Sequence, residues 1–328
     1  MVSFTVFKGS EDGKIVKSST TREIGNDEVL VKITHSGVCG TDIHFLHKDM
    51  ALGHEGAGIV EKIGQGVKKL AIGDHVGWGW VHSTCGDCEQ CLTGKENLCT
   101  ESKAYGDADL DQGSFGTYGV WKAGYLFKIP DSMALKHAAP LMCGGATVYH
   151  AMRDVRSSDR VGVIGVGGLG HLAVQFAGKM GCDVVVFSST DSKKAEAQEL
   201  GAKQFVATKG KDRLEIGKPL NHLFVTTSHP PNWEIYLPLM APRGTVYPIT
   251  VNGGELSVPY NVLMNLEMRV QGSLVSPRQT HRNMIQFAAL HGIKPIIEEF
   301  PMNTEGIEKA LEKLGSGKMR YRGVLVVE

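Results

Sequence analysis

Along the first 140 positions, apolar residues come in short alternating or mixed runs, at residues 29–33, 58–63 and 119–122, separated by glycine-bearing turns. Such runs predict buried or half-buried β-strands joined by tight connections. Pro130 and Pro140 punctuate the end of this region, and from about residue 138 the pattern changes. Residues 160–166 form a short apolar run. After it Leu169, Leu172, Ala173, Phe176, Ala177 and Met180 recur at i, i+3, i+4, i+7, i+8 and i+11. One apolar stripe at that period is a helix with a single buried face. Gly181 closes it, and the β-branched run at residues 183–187 opens another strand. Strand, helix, strand in that order predict a βαβ unit, and so a parallel sheet. Residues 223–226, 244–249 and 323–327 predict further strands, and residues 196–200 and 280–290 predict helices. No internal repeat or low-complexity tract interrupts the series.

A chain of 328 residues exceeds what one hydrophobic core serves, so two domains are expected. Lys+Arg and Asp+Glu are equal at 35 each, which gives no electrostatic reason to expect nucleic acid or an anionic membrane as a partner. No run approaches the ~18 apolar residues of a membrane span. The N-terminal residues carry neither an apolar signal core nor an Arg-rich amphipathic stretch. With seven cysteines, an odd number, the expectation is a reducing, cytoplasmic location.

Four of those cysteines, Cys85, Cys88, Cys91 and Cys99, are spaced C-x2-C-x2-C-x7-C. Thiolates this close suit one tetrahedral Zn²⁺ in a closed, structural site. Disulfides need Cα separations and directions that two-residue gaps rarely give. Chemistry must therefore be sought elsewhere. The turn of the βαβ unit reads Gly165-Val166-Gly167-Gly168-Leu169-Gly170, a G-x-G-x-x-G directly after a strand and opening a helix. In that context glycines let the backbone approach a pyrophosphate at a helix N-terminus, which predicts a dinucleotide site. The next strand ends Ser188, Ser189, Thr190, followed by Lys193 and Lys194, with no carboxylate at the tip to accept a ribose 2′-hydroxyl. Hydroxyls and a lysine suit a 2′-phosphate, so NADP(H) is expected over NAD(H).

Cys39, His54 and Cys143 are each isolated in sequence. Together they offer two thiolates and an imidazole, with room for an exchangeable fourth ligand, which is the composition of an open catalytic zinc site.

The segments GVCGTDIH, GHEGAGIV, the four-cysteine lobe, PLMCGGATVY and GVGGLG occur here in the order of the zinc-dependent medium-chain alcohol dehydrogenases, which the whole chain resembles. The serine-serine-threonine tip with its lysine resembles the NADP(H)-using cinnamyl-alcohol-dehydrogenase branch. The resemblance implies an α/β chain. A GroES-like β-rich catalytic domain would span residues 1–144 and 277–328, with the structural zinc lobe at about 80–100. A Rossmann doubly wound parallel sheet would span residues 145–276. It implies two Zn²⁺ per chain, NADP(H), a small alcohol or aldehyde substrate, and a homodimer or homotetramer. By motif position Glu55 resembles the acidic residue that approaches the metal, and Asp42 the carboxylate that fixes the His54 tautomer. Thr41 resembles the hydroxyl that takes the substrate proton. Both His44 and His47 lie where the family places relay histidines, with His47 favoured by spacing. Thr147 resembles a residue beside the nicotinamide, and Trp80 an aromatic of the substrate pocket.

One departure stands out. The segment between Cys39 and His54 is shorter than in the family, and its usual proline-bearing stretch is missing. Phe45, Leu46 and Met50 become the expected wall residues there. The expected activity is hydride transfer between NADP(H) and a primary alcohol or aldehyde, in the direction of aldehyde reduction. Two other readings compete. An NAD-dependent polyol or secondary-alcohol dehydrogenase would want an acid at the strand tip, and Ser188 is not one. A nucleotide-binding scaffold without turnover would not need Cys39, His54, Cys143 and Thr41 all intact.

Overall fold

The computed structural model describes residues 1–251 and 253–328, which form two compact units. One comprises Met1–Ala146 with Val275–Glu328, the other Thr147–Leu274.

In the first unit a sheet is built around the long strand Glu28–Val38. Its neighbours are Gly56–Ile63 and Arg322–Val326, both antiparallel to it, and Tyr118–Lys122 pairs with its first half. His75–Trp78 and Phe127–Lys128 extend the sheet on one side and Ile297–Pro301 on the other. Alternation along the central strand explains its place. Val29, Val31 and Ile33 join Val60, Val76, Trp78 and Trp121 in one apolar cluster, while Leu30 faces another with Phe4, Val6 and Val120. A strand buried on both faces is a sheet interior. The N-terminal hairpin, Val2–Lys8 with Val16–Arg22, and the amphipathic helix Thr304–Gly315 close this core.

In the second unit the strands Arg160–Ile164, Asp183–Ser188, Gln204–Ala207, Leu220–Val225, Met240–Pro248 and Arg269–Val270 are all parallel. Numbered along the chain they lie in the order 3-2-1-4-5-6. That is the doubly wound dinucleotide-binding arrangement, with its ligand crevice where the order reverses, beside the first strand. The helix Gly170–Lys179 buries Leu172, Ala173, Phe176 and Ala177, the stripe that the 3.6-residue period predicts.

Two glycines hold this turn for different reasons. Gly165 has φ +94°, a left-handed conformation that a side chain resists. At Gly170 a Cβ would collide with the Gly165 carbonyl and lie 2.7 Å from Thr226 Oγ1, so the helix approaches the sheet only if this residue is bare. Gly170→Val is expected to destabilise the second unit by ~1–3 kcal/mol through overpacking. Chemical denaturation of that unit with an unchanged midpoint would contradict this reason for the glycine.

Candidate metal and dinucleotide sites

Strand pairing in the first unit determines which side chains meet. Ser36 pairs with Gly56, the Gly37 N–H donates to the Glu55 carbonyl at 2.9 Å, and Gly323 pairs with Val38. Cys39 leaves the end of one strand just where His54 and Glu55 enter the second and Arg322 opens the third. Cys143 arrives from a π-helical turn, Leu141–Gly145, following the helix Leu135–Pro140. Such turns re-aim a side chain and concentrate at functional sites. The donor atoms of Cys39, His54, Glu55 and Cys143 all lie within 4.8 Å of one another.

The side chains behind them are tightly bonded. Cys39 caps the short helix Gly40–His44, its N–H donating to Asp42 Oδ2 at 2.8 Å. The other Asp42 oxygen receives His54 Nδ1 at 3.1 Å and the Tyr105 hydroxyl at 2.9 Å. His54 Nε2 is buried and has no hydrogen-bond partner among the described residues. A buried imidazole nitrogen without a partner, aimed into a cluster of thiols, fits a metal ligand. Burial opposes charge on His54, yet Asp42 and the Cys39 sulfur hold its imidazole well above the usual range. The Cys39 thiol is pulled well below its range by the Cys143 hydrogen bond, against burial, and that same bond with burial pushes Cys143 well up. The Cys143 thiol thus donates its proton to the Cys39 sulfur, a proton that a divalent cation would displace. Glu55, fully buried, forms an ion pair with Arg322, and burial, opposed by that arginine, raises its carboxyl to about 7.

In the lobe, the sulfurs of Cys85, Cys88, Cys91 and Cys99 also lie within 4.8 Å of one another. Cys85 is 3.9 Å from Cys91 and 3.6 Å from Cys99. Tetrahedral Zn–S bonds of about 2.3 Å imply sulfurs about 3.8 Å apart, so the set fits zinc. Glu96, within the same lobe, is tied to Arg278 by two hydrogen bonds at 2.8 and 2.9 Å.

Thr41 lies beside the first metal set, its Oγ1 3.7 Å from Cys39 Sγ. The two histidines have different surroundings. His44 is exposed one helical turn after Thr41, on the same face, whereas the His47 ring sits on the turn at residues 10–13 with Nδ1 3.1 Å from the Glu11 carbonyl. The expected wall is also revised. Leu46 packs into the apolar cluster of Phe7, Ile15, Leu52 and Phe115, and Met50 is 2% exposed, so both serve the core. Phe45 packs on the same cluster but also meets Tyr105 edge-on at 5.2 Å. Trp80 stands edge-on to His54 at 5.6 Å.

In the second unit Lys193 Nζ donates to the Val166 carbonyl of the glycine turn at 2.6 Å. A Cβ at Gly167 would meet nothing within 4 Å, so this stretch of backbone is bare, as a phosphate cradle requires. The Lys209 N–H donates to the Ser189 carbonyl at 3.0 Å, which adds another lysine to the strand tip; Thr190 bonds Ser192 at 2.9 Å. Ser188 ends its strand half-buried, with Thr147 buried in the helix Ala146–Ala151. Gly168 and Leu169 complete the turn before the helix.

Tyr105, Arg322 and Lys209 escape a reading of motifs. Only Arg322 leaves a trace, as a charge opening an otherwise apolar strand.

Residues 25–131 match the alcohol dehydrogenase GroES-like domain family, and residues 168–290 the zinc-binding dehydrogenase family. An alcohol dehydrogenase of Geobacillus stearothermophilus is 34% identical over 95% of this chain and 96% of its own. The chain belongs to the zinc-dependent medium-chain alcohol dehydrogenase family. Within it, a probable cinnamyl alcohol dehydrogenase of Oryza sativa subsp. japonica is 36% identical over 94% of this chain and 91% of its own. The solved cinnamyl alcohol dehydrogenase of Sorghum bicolor superposes with a TM-score of 0.90 at 29% identity, covering 99% and 98% of the two chains. That of Helicobacter pylori, complexed with NADP(H), gives 0.88 at 29% identity over the same shares. The chain is thus an oxidoreductase of the cinnamyl-alcohol-dehydrogenase-like branch. Among the described residues no helix is long and apolar enough to cross a membrane.

The two cysteine sets should respond differently to loss of a ligand. Cys88→Ser is expected to lower the thermal midpoint with loss of the lobe metal, because a structural site contributes folding energy directly. Cys143→Ser should leave that midpoint near wild type while abolishing turnover. Metal content and thermal unfolding of both variants check this, and equal falls in midpoint would contradict the division.

Proposed function

We propose that this protein is a cytoplasmic NADP(H)-dependent dehydrogenase. It holds two zinc ions per chain, acts as a homodimer or homotetramer, and interconverts primary alcohols and aldehydes with reduction favoured. The observation that carries the cofactor choice is the strand tip. Ser188 stands where an acid would select NAD, and Lys193 rests on the glycine turn, 2.6 Å from the Val166 carbonyl. A 2′-phosphate wants donors and positive charge, and the tip offers both. A relative named an aldehyde reductase, from Synechocystis, is 33% identical over 92% of each chain and supports the direction.

When bound, zinc and the nicotinamide supply Lewis acidity and hydride exchange. Cys39, His54 and Cys143 would hold the metal, and the glycine turn with Ser188, Ser189, Thr190 and Lys193 the dinucleotide. Asp42 accepts the Nδ1 proton of His54 and so keeps the Nε2 lone pair turned toward the thiols. Thr41 Oγ1, beside Cys39, passes the substrate proton, and His44, one turn along the same helix face, carries it toward solvent. Glu55 stays behind the ligands, held by Arg322.

Thr41→Ala is expected to lower kcat by ~10²–10⁴ while cofactor binding persists, with Thr41→Ser retaining most activity. His44→Ala should cost less and be partly rescued by imidazole buffer, whereas His47→Ala should change little. Rescue confined to the His47 variant would return the relay to that residue. Ser188→Asp should shift preference toward NADH, since it sets a carboxylate against the 2′-phosphate. An aldehyde screen with both cofactors, followed by nicotinamide absorbance, tests the activity. Equal kcat/KM ratios for NADPH over NADH in wild type and Ser188→Asp would refute this reading of the tip.

A further inference from the structure

We propose that Tyr105 is a positioning residue for the metal ligand His54 and that it acts through Asp42. The inference rests on the zinc reading above and adds a residue to it. Tyr105 is 2% exposed, and its ring stacks on the His54 imidazole with centroids 4.6 Å apart and planes 28° apart. Packing alone would need only that ring, and phenylalanine has it. The hydroxyl does something more specific. It receives the backbone N–H of Gly53 at 3.0 Å and lies 2.9 Å from Asp42 Oδ1.

The direction of each bond follows from the groups present. The Gly53 N–H can only donate, so the hydroxyl accepts there. Its one proton is then left for Asp42, an acceptor when ionised. Asp42 Oδ1 therefore collects two donors, the tyrosine O–H and His54 Nδ1–H, while Oδ2 takes the Cys39 N–H at 2.8 Å. With that carboxylate unable to turn, His54 keeps its proton on Nδ1 and its lone pair on Nε2, toward Cys39 and Cys143.

The same hydroxyl pins the Leu52–Gly53 peptide, one residue before His54, where Gly53 has φ +91°. Tyr105 thus constrains the ligand three ways, through its backbone, its ring face and the acid behind it. Edge-on contacts from Phe45 at 5.2 Å and Trp80 at 5.6 Å hold the tyrosine ring in turn. Partners that orient a ligating histidine typically contribute ~10–100-fold to metal affinity.

The experiment compares zinc-loaded full-length wild type and Tyr105→Phe, following zinc release to a chromophoric chelator. The Cys143→Ser and Cys88→Ser variants assign each release phase to its site. Release from the Cys39/His54/Cys143 site should be ~10–100-fold faster in Tyr105→Phe, with release from the four-cysteine lobe unchanged. In an Asp42→Asn background the Tyr105→Phe substitution should add little, because the two residues act as one unit. Cobalt substituted at the first site should show altered visible bands in Tyr105→Phe. Identical release from that site in both proteins would overturn the assignment. So would equal acceleration at both sites, or a Tyr105→Phe chain that sheds both metals as it unfolds, since either makes the tyrosine merely structural. A full effect in the Asp42→Asn background would overturn the route through Asp42. Wild type that takes up zinc at the four cysteines alone would remove the zinc reading itself, a failure visible before any variant is made.

Discussion

The buried carboxylate of Asp42 is the point on which the catalytic half is built. At 0% exposure an ionised acid has lost its water, and only donors from the protein offset that loss. Asp42 has three: the Cys39 N–H, the His54 ring and the Tyr105 hydroxyl. Each comes from a different stretch of chain, so the acid is satisfied only when a strand end, a strand start and the post-lobe loop are all in register. A slip of one residue in the pairing of Glu28–Val38 with Gly56–Ile63 would turn His54 to the other face and leave the acid unpaired. The requirement for hydrogen bonds and the requirement for a metal site are here the same geometric requirement.

Next to His54 a second charge pair carries a similar obligation. Glu55 and Arg322 are both buried, and removing two charges from water costs several kcal/mol per ion before their attraction offsets it. Such a pair is a poor source of stability. Its effect is positional, since it ties the strand Arg322–Val326, from the far end of the chain, to the residue next to His54. Gly37 has no side chain for the same reason, because a Cβ there would collide with the Glu55 carboxylate. The four-cysteine lobe is organised differently. Its ligands lie within one loop, and Glu96 ties that loop to the start of the helix Arg278–His291.

The strand tip of the second unit sets a few polar and charged residues beside a glycine turn. The glycine turn and the helix behind it provide a phosphate site of general use. At the tip Ser188 follows Phe187, Lys193 Nζ bonds the glycine turn, and the Lys209 backbone N–H bonds the Ser189 carbonyl.

Sequence by itself determined what depends on neighbours along the chain. Period-two and period-3.6 patterns gave the central strands and the helix Gly170–Lys179, because burial of one face must repeat at the geometry of the element. Cysteines two residues apart gave the lobe, since so short a loop brings its thiols together whatever surrounds it. The glycine turn was legible for a like reason, and Cys39, His54 and Cys143 were legible as a donor set by residue type, though not that their donor atoms lie within 4.8 Å of one another. The tertiary structure alone decided the rest. It set the His47 ring against the turn at residues 10–13 and left His44 exposed one helical turn after Thr41. It buried Met50 and packed Leu46, partly buried, against the cluster around Phe7 and Leu52, contacts made with residues distant in sequence. It brought Tyr105 to His54 from 51 residues further along the chain, and Arg322 to Glu55 from near the C-terminus. A hydrogen bond is specified by where two atoms sit in space, and between residues so far apart no local pattern encodes that distance; only the sheet register does.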